Sequence, residues 1–308
     1  MVVKVYDIIL YGATGYSGQV ACEQLSKFNR DTKWAIAGRS EEKLREISAR
    51  YGCDYLLADA LDLESLRLLV KKTRVIISCA GPYAVLGEGL LRACVENKCH
   101  YADISAEITW QVAMEKKYGK QAEINKTKLV FASGFDSVPA AVGVNEYLNR
   151  LALDGATAKS IGCYYEMRGG LNGGTLASGL NAKKNKMHMP SPGRSGVFSI
   201  PDTKGYATDF VMSGLNEHCV AKSFSGEYHE HLKVPNLFTA YFLRYFFLFF
   251  DLLMSSYLGR AVISFFGPKP GEGPPKKILD CGYVTSLFIE DDQEKPLKLK
   301  ISWDGDPG

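Results

Sequence analysis

The sequence predicts an α/β protein: a doubly wound parallel sheet over residues 1–136, then a second, α+β domain over residues 137–308 that includes an apolar helical segment. Three observations carry that prediction. Through residue 135, short β-branched runs alternate with amphipathic stretches. Those runs are almost continuously apolar and do not alternate, as expected of strands covered on both faces. After about residue 137 the rhythm breaks down, and a chain of 308 residues suits two domains.

Val5–Tyr11 stops at Gly12, and Tyr16–Lys27 follows as a helix. Trp34–Ala37 ends in Gly38-Arg39, with Ser40 placed to cap a helix over Glu41–Arg50. Tyr55–Ala58 and Leu63–Lys71 form the next strand and helix. Val75–Cys79 ends in Ala80-Gly81-Pro82 and is followed by a helix over Val85–Asn97. His100–Ile104 and Lys128–Ala132 complete six strands, with the helix Glu107–Asn125 between them.

In the second domain, Val138–Leu151 reads as a helix, Ala158–Met167 as a strand and Asn181–Ser195 as a loop. Residues 278–289 and 297–303 read as two antiparallel strands about the acidic turn Glu290–Pro296. The strict alternation from Leu297 to Trp303 gives the last strand one buried and one wet face. Leu237–Phe266 is the most apolar stretch, with Tyr245–Phe250 reading YFFLFF. Three readings stand for it: a buried or interface helix of the second domain, an interfacial lipid anchor with Arg244 and Arg260 snorkelling to headgroups, and a spanning helix interrupted by Arg244, Asp251 and Arg260.

Composition excludes several classes. A net charge of +3 with no long Lys/Arg run gives no footprint for nucleic acid. With 46% hydrophobic and 23% charged residues, the chain is neither disordered nor fibrous. Eight dispersed cysteines without a CxxC pair signal neither a zinc site nor a disulfide framework, and point to a reducing, intracellular compartment. No small-residue cleavage pattern of a secretory signal follows Met1. His229 and His231 share a strand face, but no third ligand is suitably spaced, so no metal is expected; His188 reads as solvated.

The sharpest chemical motif is Gly12-Ala13-Thr14-Gly15-Tyr16-Ser17-Gly18 between the first strand and first helix. The first glycine permits the tight turn, the second lets backbone N–H groups approach a pyrophosphate, and the third lets helix and strand pack closely. The helix N-terminus adds donors and partial positive charge. This is the Rossmann pattern for a dinucleotide. NAD-type sites place an acid about 20 residues on, at the end of the second strand. Here Arg39 and Ser40 stand there, suited to a 2′-phosphate, which favours NADP(H) over NAD(H). Asp59 follows the third strand, where related folds contact the adenine. Ala80, Gly81 and Pro82 follow the fourth, where a small turn admits the ribose and nicotinamide. Ser133–Pro139 follows the sixth strand, and Asp136 and Ser137 are candidates either to cap the next helix or to face substrate. Tyr83 and Asp136 are the candidate catalytic residues; no nucleophile with an adjacent base is found.

Gly12–Gly18, Ala80–Tyr83, Tyr101–Glu107, Ser133–Pro139 and Gly173–Ser178 together resemble the saccharopine dehydrogenase-like oxidoreductase family, which includes trans-acting enoyl reductases of lipid synthesis. The resemblance implies NADP-type cofactor binding, a second domain for substrate and dimerisation, and association with lipid droplets or membranes in eukaryotic members. It also implies helical sequence beyond the turn at Gly308. In the family an acid commonly follows the Gly-Phe-Asp-Ser string where this chain has Ala141, so that role does not transfer. No Arg/Lys cluster for an amino-dicarboxylate is found, which disfavours lysine metabolism and favours an apolar substrate. The function expected is an NADP-dependent oxidoreductase of lipid metabolism. The alternative is a non-catalytic nucleotide-binding protein on lipid droplets or membranes.

Overall fold

A computed structural model of the chain describes residues 4–28, 31–135, 137–170, 172–185, 193–269, 271–290 and 296–304. The first sheet is built from β1 (Tyr6–Tyr11), β2 (Trp34–Gly38), β3 (Asp54–Leu57), β4 (Thr73–Ser78), β5 (His100–Asp103) and β6 (Leu129–Val130). All of its pairings are parallel, in the order β3-β2-β1-β4-β5-β6. The helices α1 (Tyr16–Lys27), α2 (Glu41–Tyr51), α3 (Leu63–Val70), α4 (Tyr83–Glu96) and α5 (Ile108–Ile124) fall between successive strands. Strand order therefore reverses between β1 and β4, the crevice where open α/β sheets take ligands.

Ile9 and Leu10 are adjacent and both fully buried, yet they enter different apolar clusters. Side chains on a strand alternate faces, so both faces of this sheet are covered. Ile9 packs with Leu66, Leu90 and Tyr101; Leu10 packs with Cys22, Ile36 and Leu44.

The chain continues through α6 (Val138–Leu153), β7 (Ser160–Arg168), α7 (Gly173–Lys184), β8 (Phe198–Ser199), β9 (Tyr206–Asp209), α8 (Ser213–Val220), β10 (Glu227–Val234), α9 (Leu237–Ser255), α10 (Tyr257–Phe266), α11 (Lys276–Leu279), β11 (Tyr283–Glu290) and β12 (Lys298–Asp304). The second sheet runs β12-β11-β7-β10-β9-β8. It is mixed: β7 and β10 pair in parallel from Ser160↔Glu227 to Tyr165↔Leu232. The intervening chain is long enough to return β10 in the same direction as β7, whereas β11 and β12 form the expected hairpin. Helix α6 lies on this sheet so closely that a Cβ at Gly143 would fall 2.0 Å from the Phe288 ring. Residues 181–184, read as loop, end α7 as helix. Residues 186–192, and with them His188, lie outside the described residues. So do residues 291–295 of the acidic turn.

The chain forms two compact units. The first holds β1–β6 and α1–α5, and also α7 and Gly267–Gly273; the second holds the other sheet with α6 and α8–α11. Assigning everything past residue 136 to the second domain thus misplaces α7 and Gly267–Gly273. The Gly173 N–H donates to the Glu272 carbonyl at 2.9 Å, and Gly273 lies against Tyr16, so these pieces pack with the first sheet.

Candidate functional site

Gly12 leaves β1 with φ +85°, and a Cβ there would approach Ala80 to 2.9 Å. A Cβ at Gly18 would fall 2.2 Å from the Gly12 carbonyl oxygen, so the first turn of α1 rests on the loop backbone. Both glycines are demanded by the fold. Gly15 is not: its φ is −80°, and a Cβ would make only an ordinary 3.6 Å contact with the Gly12 carbonyl. Gly15 is moreover the N-cap of α1, a position where Asp or Ser would serve the isolated fold at least as well. The Thr14 and Ser17 hydroxyls, half-buried on either side, make no hydrogen bond among the described residues. A cradle is present that protein atoms do not fill, and its donors suit a pyrophosphate.

Arg39 is exposed at the end of β2 and has no carboxylate partner among the described residues. Glu41 is engaged instead by Arg45 at 3.0 Å. Ser40 holds the N-cap position of α2, but its side chain makes no capping bond. Asp59 accepts from the Leu61 N–H at 2.9 Å and shapes the turn after β3. Burial pushes the Tyr11 phenol up to about 12, with Asp59 adding to the rise and Arg39 opposing it, so both charges lie near the carboxyl end of β1.

After β4, Ala80 and Pro82 are half-buried and Gly81 is exposed. Tyr83, a candidate catalytic residue, is an anchor in the fold: its hydroxyl is buried and donates to the Ser78 carbonyl at 2.9 Å, while its ring packs on Trp110. Burial raises its pKa, with Asp103 adding to the rise. The Tyr101–Glu107 string is likewise a fold device. Glu107 accepts the Tyr83 and Ala84 N–H groups at 2.9 and 2.8 Å, satisfying the start of α4. Asp103, buried, accepts from Tyr101, Ser105 and Ala132, and desolvation raises its pKa.

Asp136 lies outside the described residues. Ser137 stands at the N-cap of α6 without capping it, and its hydroxyl donates to Asn216 Oδ1 at 2.8 Å. Asn216 Nδ2 in turn donates to the fully buried carboxyl of Glu230 at 2.7 Å, which the Tyr165 and Tyr228 hydroxyls also meet. Desolvation pushes Glu230 up to about 8, against the lowering effect of those three donors. Sequence reading missed this network because its members come from α6, α8, β7 and β10. His229 and His231 are buried beside Tyr164, and no group of three metal-ligating side chains occurs among the described residues.

Only Ala240 and Met254 of α9, and Gly259 of α10, are buried. Phe238 is 82% exposed, Leu252 68% and Phe266 81%. Burial of 237–266 within the chain is therefore overturned, and the interface, anchor and spanning readings stay open. Helix α9, at 19 residues, is long and apolar enough to cross a membrane. Both arginines have partners within the chain. Arg244 pairs with Asp209 of β9, and Arg260 donates to the Met254 and Ser255 carbonyls at 3.1 and 2.9 Å, closing the end of α9. Both contacts lie inside the unit, and the exposed surface of α9–α10 is mostly apolar but carries Asp251 near the end of α9; Phe238, Tyr241, Phe242, Tyr245 and Phe246 line an open groove along it.

Residues 8–131 match the saccharopine dehydrogenase NADP-binding domain. A lipid droplet localized protein of Caenorhabditis elegans is 40% identical over 151 residues, 46% of this chain and 35% of that protein's length. A Mycobacterium tuberculosis protein named for trans-acting enoyl reduction is 26% identical over 356 aligned positions, covering 98% of this chain and 85% of its own. The apo saccharopine dehydrogenase (L-Glu forming) of Saccharomyces cerevisiae shares the fold over 97% of this chain and 85% of its own, with a TM-score of 0.57 at 11% identity.

Proposed function

With a saccharopine dehydrogenase-type NADP-binding domain over residues 8–131 as premise, we propose that this chain is an NADP(H)-dependent oxidoreductase acting on an apolar, lipid-like substrate while α9–α10 hold it on a lipid surface. The observation that carries the nucleotide reading is Gly15: the fold leaves room for a side chain there and the sequence supplies none. Gly12, Thr14, Gly15, Tyr16, Ser17 and Gly18 would hold the pyrophosphate, Arg39 and Ser40 the 2′-phosphate, and Asp59 the adenine side. Ala80, Gly81 and Pro82 would border the nicotinamide half. The dinucleotide, when bound, supplies hydride chemistry. The chain's part is to orient that group and to keep water from it.

The lipid reading rests on the exposed aromatic surface of α9–α10 and is supported by the C. elegans and M. tuberculosis relatives. A non-catalytic nucleotide-binding role on the same surface is the second reading, favoured by the commitment of Tyr83 to Ser78. NADPH oxidation assayed against enoyl thioesters and acyl or sterol ketones separates the two. Turnover of any of these establishes the oxidoreductase, and NADPH binding without turnover leaves the second reading in place.

A further inference from the structure

We infer that α7 and the segment Gly267–Gly273 form the outer wall of the dinucleotide site, with Ser178 as a further cofactor-binding residue and Gly273 as the seat of Tyr16. This rests on the dinucleotide reading above and extends it to residues far along the chain from the glycine-rich turn.

Both pieces belong to the same compact unit as the first sheet. Their mutual geometry is fixed: the Asn172 side chain accepts the Thr175 N–H at 2.9 Å to cap α7, and the Gly173 N–H donates to the Glu272 carbonyl. Glu272 also accepts the Lys269 N–H on its carboxylate at 2.7 Å, closing the segment on itself. Ser178 lies on α7, and its Oγ stands 3.6 Å from where a Cβ on Gly81 would be. That places a hydroxyl beside bare backbone at the carboxyl end of β4, next to the β1/β4 reversal. The hydroxyl is half-buried and makes no hydrogen bond among the described residues. A half-buried hydroxyl without a protein partner, set beside the bare Gly81 backbone, is a group placed for a ligand, here the ribose or carboxamide of the nicotinamide half.

Gly273 acts at the other end. A Cβ there would fall 1.9 Å from Cε2 and 2.3 Å from Cδ2 of Tyr16, so the ring lies directly on the Gly273 backbone. Tyr16 is the first residue of α1, immediately after Gly15. Seating its ring fixes the helix start whose N–H groups face the phosphates, and such preorganisation strengthens binding without adding a contact.

The test uses two probes on the full chain: NADPH, followed by its fluorescence, and adenosine 2′,5′-bisphosphate, which lacks the nicotinamide half, followed by calorimetry. Ser178→Ala should weaken NADPH about three- to tenfold, the size of one hydrogen bond, and leave the bisphosphate unchanged. Gly273→Ala should weaken both probes, because it unseats Tyr16; Tyr16→Ala, which removes the contact without forcing a clash, should do the same. Parental affinity for NADPH in Ser178→Ala, or an equal loss on both probes, would overturn the wall. A parent chain that binds neither probe would overturn the dinucleotide reading itself, and this inference with it.

Discussion

The glycine-rich turn and the α9–α10 pair are opposite kinds of surface. At the turn side chains are missing: Gly12 and Gly18 are bare because Ala80 and the Gly12 carbonyl occupy the space, while Gly15 is bare with space to spare. On α9–α10 side chains are abundant, and most of the Phe, Leu and Tyr residues are exposed, their ring contacts running along the helices themselves. Each region departs from what folding alone would select, in opposite directions. An empty place beside unused donors fits a polar ligand, and a crowd of unpacked aromatic groups fits an apolar one. The two halves of the proposed function are read from these two departures.

The largest effect should come from the apolar side of the comparison. Replacing Phe246, Phe247, Phe249 and Phe250 with Ser removes roughly 6–12 kcal/mol of transferable side-chain burial. Binding to phospholipid-coated triolein droplets, read by flotation, should fall by more than about a thousandfold. The melting temperature should hold, because these residues are exposed or half-exposed. Unfolding of this variant, with no droplet binding by the parent, would erase the contrast between packed and unpacked surface.

The packed part of the second unit should respond to pH through Glu230. Glu230 holds its proton in the folded state up to about 8, while an unfolded glutamate releases it near 4.5. Folding therefore takes up a proton in that window, and stability falls as pH rises from about 4.5 to about 8. The loss is about 3–6 kcal/mol across the window. Glu230→Gln should flatten the dependence of melting temperature on pH. Its amide can keep the network if Asn216 turns its amide over and the Ser137 hydroxyl accepts instead of donating. An unchanged slope would show that Glu230 is ionised in the fold.

At the turn, Arg39→Ala should weaken NADPH by about 10- to 150-fold and NADH little, the worth of one charge-assisted phosphate contact. Equal losses on both cofactors, measured by fluorescence titration, would place Arg39 away from the 2′-phosphate and blunt the polar half of the comparison.

How much of this was legible depends on how local the signal is. The first sheet reads almost strand for strand, because each βα step closes within a few residues and each strand end carries its own punctuation, such as Gly12 or Ala80-Gly81-Pro82. The second sheet reads only where pairing is local, in the β11–β12 hairpin. The parallel β7–β10 pair joins residues more than sixty apart and leaves no periodic trace. Site residues divide the same way. The glycines announce themselves by spacing, whereas the approach of Ser178 to Gly81 and of Gly273 to Tyr16 arises only through tertiary packing. The setting of Tyr83 is not legible, because an aromatic at a helix start looks alike in sequence whether its hydroxyl faces solvent or, as here, the Ser78 carbonyl. The partners of the two arginines of 237–266 are not legible either, because nothing local in the sequence links Arg244 to Asp209 or Arg260 to the end of α9.

The central claim is that Gly15 is kept bare for a dinucleotide and not for the fold. Gly15→Asp tests it most directly, with NADPH titration and thermal melting measured on the same sample. An aspartate at this N-cap should leave the melting temperature unchanged or raise it slightly. Its carboxylate would stand against the pyrophosphate and abolish NADPH binding. Parental affinity in a folded Gly15→Asp chain would contradict the account.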